Sequence, residues 1–309
     1  MKNVKSIFSF IPHVLLLIAL VASAGVLVIS GPLRAEDAPP PTPDDAKGFV
    51  YKTVNGAEVK LDVFAPPGGD AAKARPVLIY FHGGGFTSGD KGYTTQMCRY
   101  FAKRGLVVVT CNYRFLTKDA SGVEGTRIIC LLDAKSAIRW VRGHAKELGI
   151  DPDRVILGGS SAGAYLVMMA ALNADFNDPA DDVKIPTTAS ALVLLSSPFS
   201  KPYPADATAK IDKAGPNAWL KAPLPPMIAI SGEKDHLREN SFAFLLACRA
   251  LGAKVELWTG PGQEHAFNPP GLWMDAMCVK VDAFLGGLGF VEGPAPAAPA
   301  GTSFVPQWR

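Results

Sequence analysis

Short apolar runs alternate along the chain with segments of helical periodicity. The runs are too short for helices and are typical of strands buried on both faces of a parallel sheet. They cover residues 77–81, 106–111, 155–157, 191–195, 227–230 and 254–258. Residues 49–53 and 59–65 also have strand patterns and flank Asn55-Gly56, a dipeptide that favours a hairpin turn. The pattern predicts eight strands, of which the first two form an antiparallel pair.

Segments with apolar residues at helical spacing lie between these strands. The spacing predicts helices over residues 93–104, 128–148, 161–172, 241–251 and 272–285. Repeated alternation of strand and helix is typical of an α/β fold built on a mostly parallel sheet. We therefore expect one eight-stranded, mostly parallel sheet with helices on both faces.

The first 35 residues have the pattern of a targeting segment. Lys2 and Lys5 precede a long uncharged stretch that is mostly apolar, as in a signal peptide. Cleavage is expected after Ala24 or Ala35, and the protein would then be exported to the periplasm or secreted. The apolar run over residues 14–29 is nearly long enough to span a bilayer, so an uncleaved membrane anchor is the alternative. Only in that case do we expect contact with a membrane.

Composition divides the rest of the chain into three parts. Residues 36–47 contain the sequence Ala-Pro-Pro-Pro-Thr-Pro and predict a stiff linker. Residues 48–290 carry the alternating pattern and are expected to form the folded domain. Residues 291–309 are rich in Ala, Pro and Gly, which predicts a flexible tail.

Charge and cysteine content exclude several classes of partner. The 31 basic and 28 acidic residues give a net charge of +3, and three of the basic residues lie in the leader, which has no acid. No basic run follows, so no nucleic-acid partner is expected. None of the five cysteines has the spacing of a metal site, and we expect small buried apolar residues rather than ligands.

The sequence Gly159-Ser160-Ser161-Ala162-Gly163 fits the pattern G-x-S-x-G. It lies between a predicted strand and a predicted helix, which is the setting of a nucleophile elbow. This setting predicts Ser161 as a nucleophile. The alternative is a glycine-rich turn without chemistry.

A serine nucleophile needs a base, and the chain has five histidines. His13 lies in the leader, His82 in a separate glycine-rich motif and His144 late in a predicted helix. His236 directly follows a candidate acid, too close in sequence to be oriented by it. His265, in a loop after the last predicted strand, is left as the predicted base.

Two acids, Glu233 and Asp235, stand just past a predicted buried strand and are candidates to orient the histidine.

A glycine-rich motif follows the run at residues 77–81, where His82-Gly83-Gly84-Gly85-Phe86 is expected to form a loop. Backbone amides in such a loop can approach a substrate oxygen without a Cβ in the way.

These motifs resemble those of α/β-hydrolase esterases, near the bacterial acetyl and feruloyl esterases and the hormone-sensitive-lipase group. The matching segments are HGGGF at 82–86, DPDRVILGGSSAG at 151–163, SGEKD at 231–235 and EHAF at 264–267. The likeness covers about residues 48–287 and implies the α/β-hydrolase fold. It implies a triad of Ser161, Asp235 and His265, because the spacing from Gly232 to the acid fits the family position.

The resemblance also implies that the amides of Gly83, Gly84 and Ala162 form the oxyanion hole, with His82 bracing the loop. It implies no cofactor and no metal.

One departure from lipase-like relatives is the lack of sequence for a cap. Little more than leader and linker precedes the first strand, and residues 199–222 are few and broken by prolines. We expect little or no cap domain and an open cleft. The predicted function is hydrolysis of carboxylic esters through an acyl-enzyme, on short-chain acyl esters of small molecules or polysaccharides. The alternatives are an amidase or peptidase of the same fold and a non-catalytic binding protein.

Overall fold

The computed structural model describes residues 41–68, 73–115, 127–199, 216–267 and 269–308. The predicted leader and residues 36–40 of the predicted linker lie outside these residues, as does most of the stretch 199–222. Within the described part, no helix has both the length and the apolar character needed to cross a bilayer.

A nine-stranded sheet runs through the described residues. Its strands are β1 (Lys47–Val54), β2 (Ala57–Phe64), β3 (Arg75–Phe81), β4 (Val107–Cys111), β5 (Ile150–Ser160), β6 (Ala191–Leu195), β7 (Met227–Gly232), β8 (Val255–Gly260) and β9 (Val305–Pro306). Their spatial order is β1-β2-β4-β3-β5-β6-β7-β8-β9. Strands β3 to β8 run parallel, whereas β1, β2 and β9 pair antiparallel with their neighbours.

Helices cover both faces of this sheet because successive strand residues point to opposite sides. The helices are α1 (Thr95–Lys103), α2 (Ile128–Gly143), α3 (Ala145–Leu148), α4 (Ala162–Leu172), α5 (Arg238–Ala250) and α6 (Leu272–Gly287). Ile79 of β3 packs in one core with α2, α4 and α5, whereas Leu78 packs in a second core with α1 and α6. The predicted α/β-hydrolase fold with helices on both faces is confirmed.

The last strand of the sheet was not predicted from the sequence. The sheet has nine strands rather than eight, because Val305–Pro306 adds β9 to the edge at β8. Most residues of the segment 291–308, which was predicted as a flexible tail, are exposed, but Val291 and Thr302 are buried. The rest of the domain forms hydrogen bonds with the irregular backbone of this segment. For example, the Arg104 guanidinium donates to the carbonyl of Pro294 over 3.1 Å.

The C-terminal ends of the parallel strands meet at one edge of the sheet, where this class of fold places its ligands. The loops that follow β3, β5, β7 and β8 carry Gly83, Ser161, Asp235 and His265, respectively. In the described part of the chain, no separate cap domain lies over this edge, and the expectation of little or no cap agrees with it.

Candidate active site

Ser161 occupies the sharp turn between β5 and α4. Its backbone has φ 47° and ψ −117°, a region that costs a non-glycine residue about 1–3 kcal/mol. The amide of Ser161 donates to the carbonyl of Leu195 on β6 over 2.8 Å, which fixes the turn against the sheet. A Cβ on Gly163 would overlap the Phe81 carbonyl, and one on Gly159 would overlap the backbone of Gly163. The G-x-S-x-G glycines are therefore required for the close contact between α4 and the strands.

Three side chains form a continuous chain of hydrogen bonds above this turn. The hydroxyl of Ser161 donates to Nε2 of His265 over 3.0 Å. The Nδ1 atom of His265 donates to Oδ1 of Asp235 over 2.9 Å. The structure thus brings together the three residues that the sequence predicted as a triad, in the order that serine activation requires.

The carboxyl group of Asp235 is held in its charged form. Its burial alone would raise the pKa, but the hydrogen bond from His265 and that from the amide of Leu237, 2.9 Å away, act in the opposite direction. Together these hydrogen bonds bring the pKa of Asp235 below its usual value. A buried carboxylate of this kind can stabilise an imidazolium.

Glu233, the other candidate acid, has a different contact. Its side chain is exposed and Oε2 accepts a hydrogen bond from the amide of Gly262 over 2.7 Å. This bond ties the loop after β7 to the turn after β8. Glu233 therefore supports the loop of His265 from outside, and Asp235 is the acid that contacts the imidazole.

The remaining described histidines contact other groups. Nδ1 of His144 donates to the carbonyl of Trp140 over 2.7 Å, and the two rings stack. His236 is exposed at the rim of the cleft, and its ring centre lies 5.0 Å from that of His265. Nδ1 of His82 donates to the carbonyl of Gly83 over 2.6 Å, and burial lowers the pKa of this histidine.

The glycine-rich loop after β3 lies directly beside Ser161. A Cβ on Gly83 would lie 3.2 Å from that of Ser161. Among the described residues, no protein group accepts a hydrogen bond from the amides of Gly83, Gly84 or Ala162. Three amides next to the hydroxyl are thus available to a ligand oxygen.

Aromatic packing holds this loop from behind. The ring of His82 stacks on that of Tyr113, with the centres 4.5 Å apart. The Tyr113 hydroxyl donates to the carbonyl of His82 over 3.0 Å. His82 was predicted to brace the loop, whereas Tyr113, which follows β4, had no predicted role.

A cleft of about 840 Å³ opens above these groups. The glycine-rich loop, Ser161 and His265 line its floor. Tyr93, Pro269 and Pro270 line the wall, together with His236. Five glycines and two prolines are among the 17 residues that line it.

A second residue that sequence analysis missed is Ser196, at the end of β6. Its hydroxyl accepts from the amide of Ala266 over 3.1 Å and contributes to lowering the pKa of Asp235. It therefore holds the loop that carries the base. A serine that follows a buried strand carries no specific sequence signal.

One group of the described residues has the spacing of a metal site. Ligand atoms of Asp235, His236 and His265 all lie within 4.8 Å of one another. Oδ1 of Asp235 and Nδ1 of His265 already bind each other. A metal ion here would replace the hydrogen bond that orients the imidazole.

Comparison with known proteins places these features in a family. The chain matches the BD-FAE family model over residues 61–194. It is 28% identical over 240 residues to esterase LipQ of Mycobacterium tuberculosis, over 69% of this chain and 55% of LipQ. It is 27% identical over 276 residues to the probable carboxylic ester hydrolase LipM of the same organism, over 77% and 62% of the two chains. The chain thus spans less than two thirds of the length of these curated relatives.

Solved structures match over more of their length. Thermogutta terrifontis esterase 2 phosphorylated by paraoxon is 32% identical, with a TM-score of 0.75, over 81% of this chain and 96% of that chain. The same esterase with propionate and with butyrate bound is 30% identical, with TM-scores of 0.73 and 0.72, over 81% of this chain and 97% of theirs. The likeness therefore extends over nearly the whole of that protein.

Proposed function

Because this chain belongs to the α/β-hydrolase esterase and lipase family, we propose that it hydrolyses carboxylic esters with Ser161 as the nucleophile. The observation that carries the proposal is the hydrogen-bonded series from Ser161 through His265 to Asp235 on the floor of an open cleft. A protein that only bound ligands would not need a buried carboxylate behind the imidazole. The names of the relatives, which include esterase and carboxylic ester hydrolase, support the same activity.

The proposed reaction proceeds in two halves. His265 takes the proton of Ser161 at Nε2 while Oγ attacks the ester carbonyl carbon. Negative charge develops on the carbonyl oxygen, and this oxygen accepts hydrogen bonds from the amides of Gly83, Gly84 and Ala162. His265 returns the proton to the leaving alcohol, which gives an acyl-enzyme. In the second half, water gives its proton to His265 and attacks the acyl carbon, and His265 then returns the proton to Oγ of Ser161 as the carboxylic acid leaves. Asp235 stabilises the imidazolium in both halves.

The proposed substrates are short-chain acyl esters of a small or polymeric alcohol, including polysaccharide esters. The broad, glycine-lined cleft supports this, because a long acyl chain gains about 0.8 kcal/mol for each CH₂ only where it becomes buried. Thermogutta terrifontis esterase 2 has been solved with propionate and butyrate, both short carboxylates. The exposed ring of Tyr93 at the rim leaves room for a bulky alcohol to extend outward.

Export of the protein remains part of the proposal. The leader with Lys2, Lys5 and the apolar run behind them supports it. Amino-terminal sequencing of the protein expressed with its leader would test it. A start at Gly25 or Glu36 is expected for cleavage, whereas an intact Met1 in the membrane fraction would indicate an anchor. A full-length protein in the cytoplasm would contradict both.

Covalent labelling tests the catalytic proposal most directly. Purified protein should hydrolyse p-nitrophenyl acetate and lose that activity in proportion to the paraoxon bound. Peptide mass spectrometry should locate the phosphoryl group on Ser161, and the Ser161→Ala variant should be neither labelled nor active. Ser160→Ala is the matched control and should still be labelled. An adduct on another residue, or more than a few per cent of activity in a folded Ser161→Ala protein, would overturn the assignment.

A further inference from the structure

The C-terminal segment of the sequence is bonded along the strand that leads to His265. Val305 and Pro306 pair with Thr259 and Trp258 of β8. The amide of Gln307 donates to the carbonyl of Leu257 over 3.0 Å. Because β8 ends at Gly260, the segment is fixed only a few residues before the loop that carries the histidine.

An aromatic cluster connects this segment to the loop itself. The ring of Phe304 lies 6.4 Å from that of Phe267 and 5.4 Å from that of Trp273. The rings of Phe267 and Trp273 are 5.6 Å apart, edge to face. Phe267 stands two residues after His265, so three separate parts of the chain determine where this loop lies.

The loop needs support of this kind. Ala266, between His265 and Phe267, has φ 52°, a conformation that a non-glycine residue adopts only when its surroundings impose it. The side chain of Phe267 is buried and its ring packs against Gly260, where a Cβ would come within 2.9 Å of it. The packing of Phe267 therefore holds the backbone of His265 in place.

The same segment also reaches the acid. The guanidinium of Arg238 donates to Oε1 of Gln307 over 2.7 Å. The amide of Arg238 donates to the carbonyl of Asp235 over 3.0 Å, at the turn that begins α5. Gln307 is thus linked through one residue to the loop of Asp235.

We propose that residues 304–307 form a catalytic brace, a segment that holds the loops of His265 and Asp235 at hydrogen-bond distance, with Phe304 as its main positioning residue. The inference rests on the proposed roles of those two residues. Displacement of a catalytic group by about 1 Å can cost about 100-fold in rate. Loss of the Phe304 ring leaves Phe267 without one of its partners, and the imidazole then loses its alignment with Ser161 and Asp235.

The kinetic parameters separate this role from a general contribution to stability. Phe304→Ala should lower kcat for p-nitrophenyl acetate about 10- to 100-fold while KM changes less than about twofold. The rate of inactivation by paraoxon should fall in parallel, because it depends on the same alignment. Phe304→Leu should recover part of kcat, since an apolar side chain again fills the site.

Trp308→Ala is the matched control. Trp308 directly follows the brace and donates from Nε1 to the carbonyl of Val255 over 3.2 Å, but its ring packs against Phe242 on α5. Its loss should lower the melting temperature and leave kcat within about twofold. Equal loss of kcat in Phe304→Ala and Trp308→Ala, or an unchanged kcat in Phe304→Ala, would overturn the brace.

Gln307→Ala keeps the proposal testable if Phe304→Ala fails to fold. This change removes the bond to Arg238 and a local bond of 3.3 Å from Nε2 of Gln307 to the carbonyl of Val305. It should lower kcat about threefold without a change in melting temperature, and an unchanged kcat would then overturn the brace. If the wild-type protein hydrolysed no ester, both the proposed function and the brace would be contradicted. If the wild type and the Phe304→Ala variant were equally active, only the brace would be contradicted.

Discussion

The carboxylate of Asp235 is fully buried and lies 2.9 Å from Nδ1 of His265, whose side chain is 24% exposed. An Asn at position 235 can donate to Nδ1 and hold the imidazole in the wrong tautomer. We therefore expect Asp235→Asn to lower kcat about 10⁴-fold, the loss known for this change in a serine protease triad. The measurement is kcat for p-nitrophenyl acetate in protein whose fold has been checked by circular dichroism.

Glu233→Gln is the control for this change. The Gln side chain can still accept from the amide of Gly262, so kcat should stay within about threefold of the wild type. If Glu233→Gln were the inactive variant and Asp235→Asn the active one, the assignment of the acid would be wrong.

Gly163→Ala should disrupt the turn that presents Ser161. The added methyl group would overlap the carbonyl of Phe81, and backbone cannot move aside as a flexible side chain can. We expect a loss of about 2–3 kcal/mol in the free energy of unfolding and a large loss of kcat. Urea denaturation and ester hydrolysis measure the two effects. Gly143→Ala, where the methyl would meet Ile185 at an ordinary 3.6 Å, should change neither by much.

Activity should fall off early along a series of p-nitrophenyl esters. In an open cleft the added CH₂ groups of a longer acyl chain stay in water, so they contribute little to transition-state binding. The expected maximum of kcat/KM lies at about two to four carbons. A maximum at eight carbons or beyond would reveal a long acyl pocket and contradict the proposed preference for short acyl chains.

The five cysteines should resist thiol reagents in the folded protein. All five are free and buried, and burial raises the pKa of Cys98, Cys130 and Cys248 to about 12. The thiolate is the reactive form, so Ellman's reagent at pH 8 should detect no thiol before denaturation and five afterwards. Rapid reaction of the native protein would contradict this burial.

These thiols also affect stability at alkaline pH. Their pKa in the folded protein lies above the value of 9.0 for a free thiol. The unfolded chain therefore loses its protons first as the pH rises. The contribution of the buried thiols is complete below about pH 9 and is lost as the pH rises toward about 12. The urea midpoint should accordingly fall between about pH 9 and pH 11, and replacing Cys98 by Ala should reduce that dependence.

Much of the fold was predictable because parallel strands buried on both faces must be apolar throughout. Residues 191–195 were predicted as a strand and form β6 with the same limits. β5 is longer than predicted, from Ile150 to Ser160, because its ends carry polar and glycine residues that do not look like a buried strand. The run 128–148 forms two helices rather than one, with the break at His144.

The site was predictable where a motif implied a geometry and not where it depended on packing. G-x-S-x-G indicates a strand-to-helix turn, and the structure has Ser161 at such a turn. The choice of Asp235 over Glu233 came from the family resemblance, because which side chain faces inward after β7 depends on packing. Phe304 and Val305 gave no signal, because two residues of strand within a segment rich in Ala, Pro and Gly show no periodicity.

The contact between β8 and β9 also bears on how the protein behaves at high concentration. An open edge strand presents unpaired amides and carbonyls to any other extended chain, which is a common start for aggregation. Here Gln307 and Trp308 take up the carbonyls of Leu257 and Val255 at that edge. A potential site of pairing between molecules is thus occupied within one molecule. We therefore expect removal of residues 304–308 to expose this edge and to favour association between molecules.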